Sequence, residues 1–117
     1  MIDKYPVITL CGSTKFRDTF IEVQKQLTLK GYIVISVGLF GHSGDAEALD
    51  DDTKAMLDDM HRRKIDLADE IFVIDVDYYI GQSTQSEIDY AKNCGKPVRY
   101  LSNNLVRVRH DSTLKLI

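Results

Sequence analysis

The glutamate in GQSTQSEIDYA, residues 81–91, is the residue of this sequence best placed for catalytic chemistry. Glu87 follows a loop of glycine and small polar residues, and an amphipathic helix begins in the same segment. A helix that begins near Thr84 places this carboxylate in its opening turn, where the helix dipole stabilises negative charge. Ser83 or Thr84 can then be the N-cap, since Thr84-x-x-Glu87 has the capping-box spacing. Glu87 is therefore either a capping residue or, if it faces a cleft, a nucleophile that attacks carbon.

A second polar segment, CGSTKFR at residues 11–17, contains residue types that bind phosphate. Gly12 permits close approach to the backbone, and the free N–H groups at the start of the following helix attract anions. The side chains that add hydroxyl groups and positive charge are Ser13, Thr14, Lys15 and Arg17. The segment matches neither GxxxxGK[ST] nor GxGxxG. It is therefore either an anion site without a standard fingerprint or a capped turn with solvated cations.

Three other residues have side chains that can act on a ligand. His61 lies four residues from both Leu57 and Ile65, at the border of an apolar helix face. It is either a hydrogen-bonded core residue or a proton donor to a leaving group. His42, in a glycine-rich loop, either contacts a nucleobase or is solvated. Asp75 ends a strand and can bind sugar hydroxyls, although carboxylates are common at strand ends.

Alternating strands and helices place these residues at one edge of a sheet. We predict strands over residues 6–11, 32–37, 70–75 and 98–101, and helices over residues 15–30, 46–68 and 84–93. This alternation is typical of parallel sheets with right-handed crossovers and helices on both faces. Such sheets bind ligands beyond the carboxyl ends of the strands, where the strand order reverses. The loops after the first and third strands should therefore be neighbours.

The predicted fold class is α/β, a small doubly wound Rossmann-like domain with flavodoxin-like strand order. We expect a parallel sheet of four to five strands with helices on both faces. Residues 1–117 are predicted to form a single domain, with its core over about residues 6–101 and a tail over residues 102–117 that is either irregular or a short edge element. The predicted apolar side of the second long helix consists of Leu49, Met56, Leu57, Met60, Ile65 and Leu67.

The composition limits the classes of partner. The chain has 117 residues, 44% of them hydrophobic and 28% charged, which is ordinary for a globular protein. Its net charge of -3 argues against a nucleic-acid polymer or an anionic membrane as partner. No signal-peptide pattern is present, and no apolar run approaches the roughly 18 residues of a membrane span. Cys11 and Cys94 lack metal-ligand spacing, so we expect reduced thiols and a cytoplasmic location.

Taken together, these segments resemble the nucleoside 2-deoxyribosyltransferase-like superfamily, which includes 2'-deoxynucleoside 5'-phosphate N-hydrolases and related nucleotide N-glycosidases. The resemblance covers roughly residues 6–101 and is carried by ITLCGSTKFR, LADEIFVID and GQSTQSEIDYAKNCGKPVRYL. It implies that Glu87 is the nucleophile. It also implies a sugar and phosphate site that includes Gly12, Ser13 and Arg17, with donors from the loop at Ser83 and Thr84.

Three positions depart from the superfamily pattern. His61 stands about where many members carry an aspartate. The first strand reads Ile8-Thr9-Leu10, whereas members often have a tyrosine there that orients the nucleophile. Gly81 stands where Asp or Ser is frequent. These departures leave the expected fold unchanged and bear on the activity.

The sequence therefore favours hydrolysis of the N-glycosidic bond of a nucleoside or deoxynucleoside 5'-monophosphate, through a covalent glycosyl-Glu87 intermediate. Base exchange, as in a deoxyribosyltransferase, is the close variant, and Lys15 and Arg17 favour a 5'-phosphate and hence hydrolysis. His61 is expected to protonate the leaving base, with solvent or substrate phosphate as alternatives. The predicted substrate contacts are Gly12, Ser13, Thr14, Lys15, Arg17, His42, Asp75, Gly81, Ser83 and Thr84. We expect no metal and no cofactor, because the sugar carbon itself stabilises positive charge.

Two other interpretations remain open. One is a non-catalytic nucleotide-binding or sensing module on the same scaffold, because a fold does not fix a function. The other is an interaction or structural domain in which the two polar segments are only helix caps. The resemblance also implies a homodimer or higher homo-oligomer, and Tyr78-Tyr79 is a candidate for either a subunit contact or a lid.

Overall fold

Strands and helices alternate along the chain in the order that the sequence predicts. The computed structural model describes residues 4–40, 50–105 and 114–116. The elements are β1 (Val7–Gly12), α1 (Arg17–Leu29), β2 (Ile33–Ile35), α2 (Asp51–Leu67), β3 (Glu70–Ile74), α3 (Gln82–Asn93) and β4 (Val98–Tyr100). Short 3-10 helices cover Thr14–Phe16, Val76–Tyr78 and Leu101–Asn103. Within these described ranges, no helix has the length and apolar character that crossing a membrane requires.

The four strands form one parallel sheet in the order β2-β1-β3-β4. Thr9 of β1 pairs with Ile35 on one side and with Ile71 on the other, and Val73 of β3 pairs with Tyr100. The connection from β1 leads outward to β2, whereas the connection from β3 leads outward to β4. The strand order therefore reverses between β1 and β3, which is where such sheets form a ligand crevice. The predicted α/β class and flavodoxin-like order are confirmed, with four strands.

Alternate residues of β1 and β3 point to opposite faces of the sheet and build two separate cores. On one face, α1 contributes the buried side chains, and the members of this core include Ile8, Leu10, Phe20, Val23, Leu27, Phe72 and Ile74. On the other face, α2 and α3 cover the sheet, and the buried residues are Cys11, Ile65, Ile71, Val73, Ile88 and Ala91. Helices on both faces are therefore confirmed. Cys11, Thr9 and α3 belong to the same side of the sheet.

The inward face of α2 differs from the predicted one. Met56, Met60 and Leu67 are 48%, 44% and 71% exposed, whereas His61 and Ile65 are the buried residues of the helix. A spacing of four residues keeps His61 and Ile65 on one side, and Met60 lies about 100° away around the helix axis. The apolar residues were therefore a poor guide to this face, because a histidine occupies its centre. Leu49 lies outside the described residues.

Two leucines among the described residues after β4 pack against the core. Leu101 is buried at the start of a 3-10 helix, and Leu116 is only 4% exposed. The side-chain amide of Gln26 in α1 donates to the Leu114 carbonyl oxygen and accepts from the Leu116 N–H, at 2.7 Å in both cases. Leu116 thereby joins the core on the α1 face.

Candidate active site

Glu87 lies deeper in its helix than the sequence predicts. Helix α3 begins at Gln82 with Gly81 as N-cap, and no side chain caps it. Thr84 is therefore the third helical residue and is buried, so it cannot serve as the predicted N-cap. Glu87 stands in the second turn, where the helix dipole has largely decayed. The capping-box explanation of Glu87 is wrong for this structure.

The side chain of Glu87 lies on the inward side of α3. Thr84, Ile88 and Ala91 are the buried residues of this helix, and their spacing defines one stripe. Glu87 is next to this stripe, and only 21% of its side chain is exposed. A carboxylate on a buried stripe is costly unless other groups compensate. The groups around Glu87 therefore determine how readily its carboxyl group carries a charge.

Hydrogen bonds to the sheet hold α2 so that His61 faces β1. The Thr9 hydroxyl donates to the Lys64 carbonyl oxygen at 2.9 Å, and Lys64 Nζ donates to the Ser36 carbonyl oxygen at 2.9 Å. These contacts tie α2 to β1 and to the end of β2. His61, one turn before Ile65, is 8% exposed as a result.

Three polar side chains meet on this face of the sheet. Nε2 of His61 lies 3.3 Å from Sγ of Cys11 and 3.7 Å from Oε1 of Glu87. The three polar atoms all lie within 4.8 Å of one another. Cys11 comes from β1, His61 from α2 and Glu87 from α3, so only the tertiary fold brings them together. The structure thus places the two predicted catalytic residues side by side.

Burial shifts the pKa values of the histidine and the glutamate in opposite directions. Burial and the negative charge of Asp58 raise the pKa of Glu87 to about 7, against the opposing effects of a Cys11 hydrogen bond and of Arg62. Burial and the positive charge of Lys64 lower the pKa of His61 to about 4. At neutral pH the imidazole is therefore uncharged while Glu87 titrates. The 3.7 Å approach is a contact between a neutral ring and a carboxyl group, not an ion pair.

Cys11 is not arranged as a thiol nucleophile. It is fully buried, and burial together with the nearby Glu87 raises the pKa of its thiol well above the ordinary value. Moreover, Cys11 and Glu87 both approach the same ring nitrogen of His61. In a triad of nucleophile, histidine and acid, the nucleophile contacts one ring nitrogen of the histidine and the acid that orients the ring contacts the other. Glu87 is the partly exposed member of the group and the one that ionises near neutral pH.

Gly12 has a packing role at the end of β1. A Cβ atom at this position would lie 3.0 Å from both Cβ and the carbonyl oxygen of Ile74 and 3.2 Å from the ring of Phe20. Its φ of +156° is also unfavourable for other residues. The glycine therefore lets β1, β3 and α1 approach closely, whether or not a ligand uses the same space.

The loops after β1 and β3 are neighbours, as predicted. Lys15 Nζ lies 3.5 Å from the centroid of the Tyr79 ring, and the rings of Phe16 and Tyr79 meet edge to face at 5.9 Å. The Tyr79 hydroxyl in turn lies 3.5 Å from the place that a Cβ on Gly81 would occupy. The segment that follows the first loop lines an open depression of about 380 Å³, and the lining residues are Lys15, Phe16, Arg17, Asp18 and Thr19. Cationic and aromatic side chains therefore stand together at this edge of the sheet.

The remaining predicted contact residues have varied surroundings. Ser13 Oγ accepts a 3.4 Å hydrogen bond from the Lys15 N–H, and Thr14 lies in the following 3-10 helix. Ser83 is exposed in the first turn of α3. The buried Asp75 accepts hydrogen bonds from the Ser102 N–H at 2.9 Å and the Ser102 hydroxyl at 2.7 Å, so it anchors the chain after β4. His42 lies outside the described residues.

Cys11 belongs to this cluster but was not predicted from the sequence. Its spacing from Cys94 gave no sign of a site, and the strand pattern made it look like a core residue. The available signal was its parity in β1, since Cys11 lies on the same face as Thr9 and opposite to Leu10. Asp58 was missed as well, although it precedes His61 by three residues and so lies on a neighbouring position of the helix surface.

Comparison with family models and curated proteins assigns no family to this chain. No protein-family model matches the sequence, and no curated protein matches it. The resemblance to the deoxyribosyltransferase-like superfamily therefore stays a prediction.

Proposed function

We propose that this protein hydrolyses the N-glycosidic bond of a nucleoside or deoxynucleoside 5'-monophosphate, with Glu87 as the nucleophile. The observation that carries the proposal is the inward-facing carboxyl group of Glu87, 3.7 Å from His61, on a sheet whose strand order reverses between β1 and β3. Lys15 and Arg17 supply positive charge at the loop after β1. The segments that resemble the deoxyribosyltransferase-like superfamily supply the substrate class.

The proposed reaction has two displacements at the sugar C1' atom. An oxygen of ionised Glu87 attacks C1', and the bond from C1' to the base nitrogen breaks with its electron pair leaving on the base. The base takes a proton, and the sugar phosphate stays on Glu87 as an ester. Water then attacks C1', the ester bond breaks to restore the carboxylate, and the released proton goes to solvent. A second base in place of water gives base exchange.

His61 acts in this proposal as a positioning residue. The sequence favoured it as the proton donor to the leaving base, but its pKa of about 4 leaves it uncharged at neutral pH. A neutral imidazole between Cys11 and Glu87 limits the rotamers that the glutamate can adopt. The departing base then takes its proton from solvent or from the substrate phosphate, the two alternatives that the sequence left open.

A non-catalytic nucleotide-binding module is the second candidate. The pKa of about 7 leaves a substantial fraction of Glu87 protonated at neutral pH, and a protonated carboxyl group is a poor nucleophile. Asp75, a predicted sugar contact, is engaged by Ser102. Both observations fit a scaffold that binds a nucleotide without turning it over.

The deciding experiment separates release of the base from binding. Wild-type protein and Glu87→Gln are incubated with the eight common ribo- and deoxyribonucleoside monophosphates, their nucleosides and NAD, with and without an acceptor base. Chromatography measures the free base. Asp89→Asn is the matched control, because it removes an exposed carboxylate from the same helix. Base released by wild type and Asp89→Asn but not by Glu87→Gln supports the enzyme; intact substrates with measurable nucleotide binding support the module.

A further inference from the structure

Three kinds of metal ligand converge on one point between β1, α2 and α3. The thiol of Cys11, the imidazole of His61 and the carboxyl group of Glu87 each offer one atom, and these atoms lie within 4.8 Å of one another. A tetrahedral ion bonded at about 2.3 Å to sulfur and about 2.0 Å to nitrogen and oxygen separates its ligand atoms by about 3.3–3.5 Å. The separation of 3.3 Å between Cys11 Sγ and His61 Nε2 differs from this geometry by about 0.2 Å, and the separation of 3.7 Å between Nε2 and Glu87 Oε1 differs by about 0.4 Å, so small side-chain shifts bring the atoms to bonding distance of one ion.

The donor set indicates which ions fit. Sulfur and imidazole nitrogen favour borderline-soft ions such as Zn²⁺, whereas Mg²⁺ and Ca²⁺ prefer oxygen ligands only. A thiolate and a carboxylate together balance the two positive charges of such an ion. Three protein ligands also leave a fourth tetrahedral position for water or another small ligand.

We propose that Cys11, His61 and Glu87 bind a zinc-class divalent cation, and that this cation inhibits the enzyme by occupying the carboxylate of Glu87. The ligands come from β1, α2 and α3, which pack against one another, so binding requires little rearrangement. The thiol proton of Cys11 passes to solvent when the metal–sulfur bond forms.

Metal binding and turnover exclude each other at this site. An oxygen of Glu87 that donates its electron pair to a cation is not free to attack C1'. The inhibitory part of this inference rests on the proposed glycosidase function, whereas the binding part stands on the geometry alone. The cation is thus a reversible blocker rather than a cofactor for the bond cleavage.

Cobalt titration of metal-free protein tests the binding part without reference to activity. Co²⁺ bound to a thiolate gives a sulfur-to-cobalt charge-transfer absorption, and Zn²⁺ should displace it. Cys94→Ser leaves Cys11 as the single thiol, because the chain contains two cysteines. We expect this variant to keep the absorption at one equivalent of cobalt. Cys11→Ser should lose the absorption while Cys94→Ser keeps it, and this comparison remains informative even if Cys11→Ser folds poorly, because the Cys94→Ser result does not depend on it.

Two further variants test the other ligands. His61→Ala and Glu87→Gln should each weaken cobalt binding by at least about tenfold, since loss of even an outer partner of a ligand costs about 10- to 100-fold. Asp89→Asn should bind cobalt as wild type does. An absorption that disappears in Cys94→Ser, or a titration of wild type that gives no absorption, overturns the metal site.

The outcomes for metal binding and for activity are distinguishable. If wild type binds cobalt through Cys11 but releases no base from any substrate, the metal site stands and the glycosidase proposal falls. If wild type releases base and zinc neither binds nor inhibits, the metal site falls alone. Zinc that binds through Cys11 without slowing base release overturns the inhibition.

Discussion

Oε1 of Glu87 lies 3.7 Å from Nε2 of His61, although one residue belongs to α3 and the other to α2. The same ring nitrogen lies 3.3 Å from the Cys11 thiol in β1. This contact gathers the polar groups of three elements on the sheet face that α2 and α3 cover. Burial on this face separates the ionisation of the two residues, because it raises the pKa of Glu87 to about 7 and lowers the pKa of His61 to about 4.

The first prediction concerns stability in the Glu87→Gln variant. Because the pKa of Glu87 is raised from 4.5 to about 7, its stabilising contribution is complete below about pH 4.5 and is lost as the pH rises through 7. Glutamine stays neutral, so Glu87→Gln should match wild type at pH 4.5 and be more stable at pH 8, by on the order of 2–3 kcal/mol. Urea denaturation of metal-free protein at both pH values measures this. The Asp89→Asn control should show no such gain. If the stability of Glu87→Gln relative to wild type is the same at both pH values, the burial of an ionisable Glu87 is contradicted.

The second prediction concerns the titration of His61. Its pKa is lowered to about 4, so the neutral ring favours the folded state above pH 6.5 and this contribution is lost as the pH falls through 4. An NMR titration of metal-free protein should show one imidazole with a midpoint near pH 4, and this signal should be absent in His61→Gln. If the assigned His61 signal titrates near 6.5 instead, the ring is charged in weak acid and proton donation to the leaving base becomes tenable again.

The third prediction concerns Gly12. An alanine Cβ would press against Ile74 and Phe20 at 3.0–3.2 Å, in a backbone conformation that only glycine adopts easily. We expect Gly12→Ala to lower the free energy of unfolding by about 1–3 kcal/mol. Gly38→Ala is the matched control, because a Cβ at Gly38 has open space around it. Thermal denaturation of the two variants compares them, and equal stability would remove the packing explanation of Gly12.

Much of the fold could be predicted from the sequence because apolar strands and amphipathic helices alternate cleanly. The predicted strand order, the two covered faces and the neighbouring loops all follow from that alternation and from crossover handedness. The inward face of α2 could not be predicted in the same way. Its centre is His61, and hydropathy ranks a histidine below Met56 and Met60, which the structure exposes.

The candidate site was only partly predictable for a related reason. Glu87 and His61 stood out by residue type, but their contact depends on how α2 and α3 pack on β1, which no local spacing encodes. Cys11 looked like an ordinary strand residue. The start of α3 at Gln82 also moved Glu87 from the first turn to the second, because Gly81 accepts the N-cap position without a side-chain hydrogen bond.

The fourth prediction concerns the phosphate of the substrate. Lys15 lies over the Tyr79 ring at 3.5 Å and is exposed, so its charge can be offered to a phosphate without a burial cost. Lys15→Ala should raise KM for the preferred nucleoside monophosphate by about tenfold, as loss of a charged hydrogen bond costs about 1.5–3 kcal/mol, and leave KM for the matching nucleoside unchanged. Lys30→Ala, an exposed lysine at the other end of α1, is the control. Equal effects on both substrates would remove Lys15 from the phosphate site.

The nucleophilic role of Glu87 is tested most directly by mass spectrometry of acid-quenched turnover mixtures. With the preferred monophosphate from the substrate panel, wild type should carry an added sugar phosphate on the peptide that contains Glu87. Glu87→Gln should carry no adduct and release no base, while Asp89→Asn behaves as wild type. Base release that continues in Glu87→Gln at the wild-type rate contradicts the role proposed for Glu87.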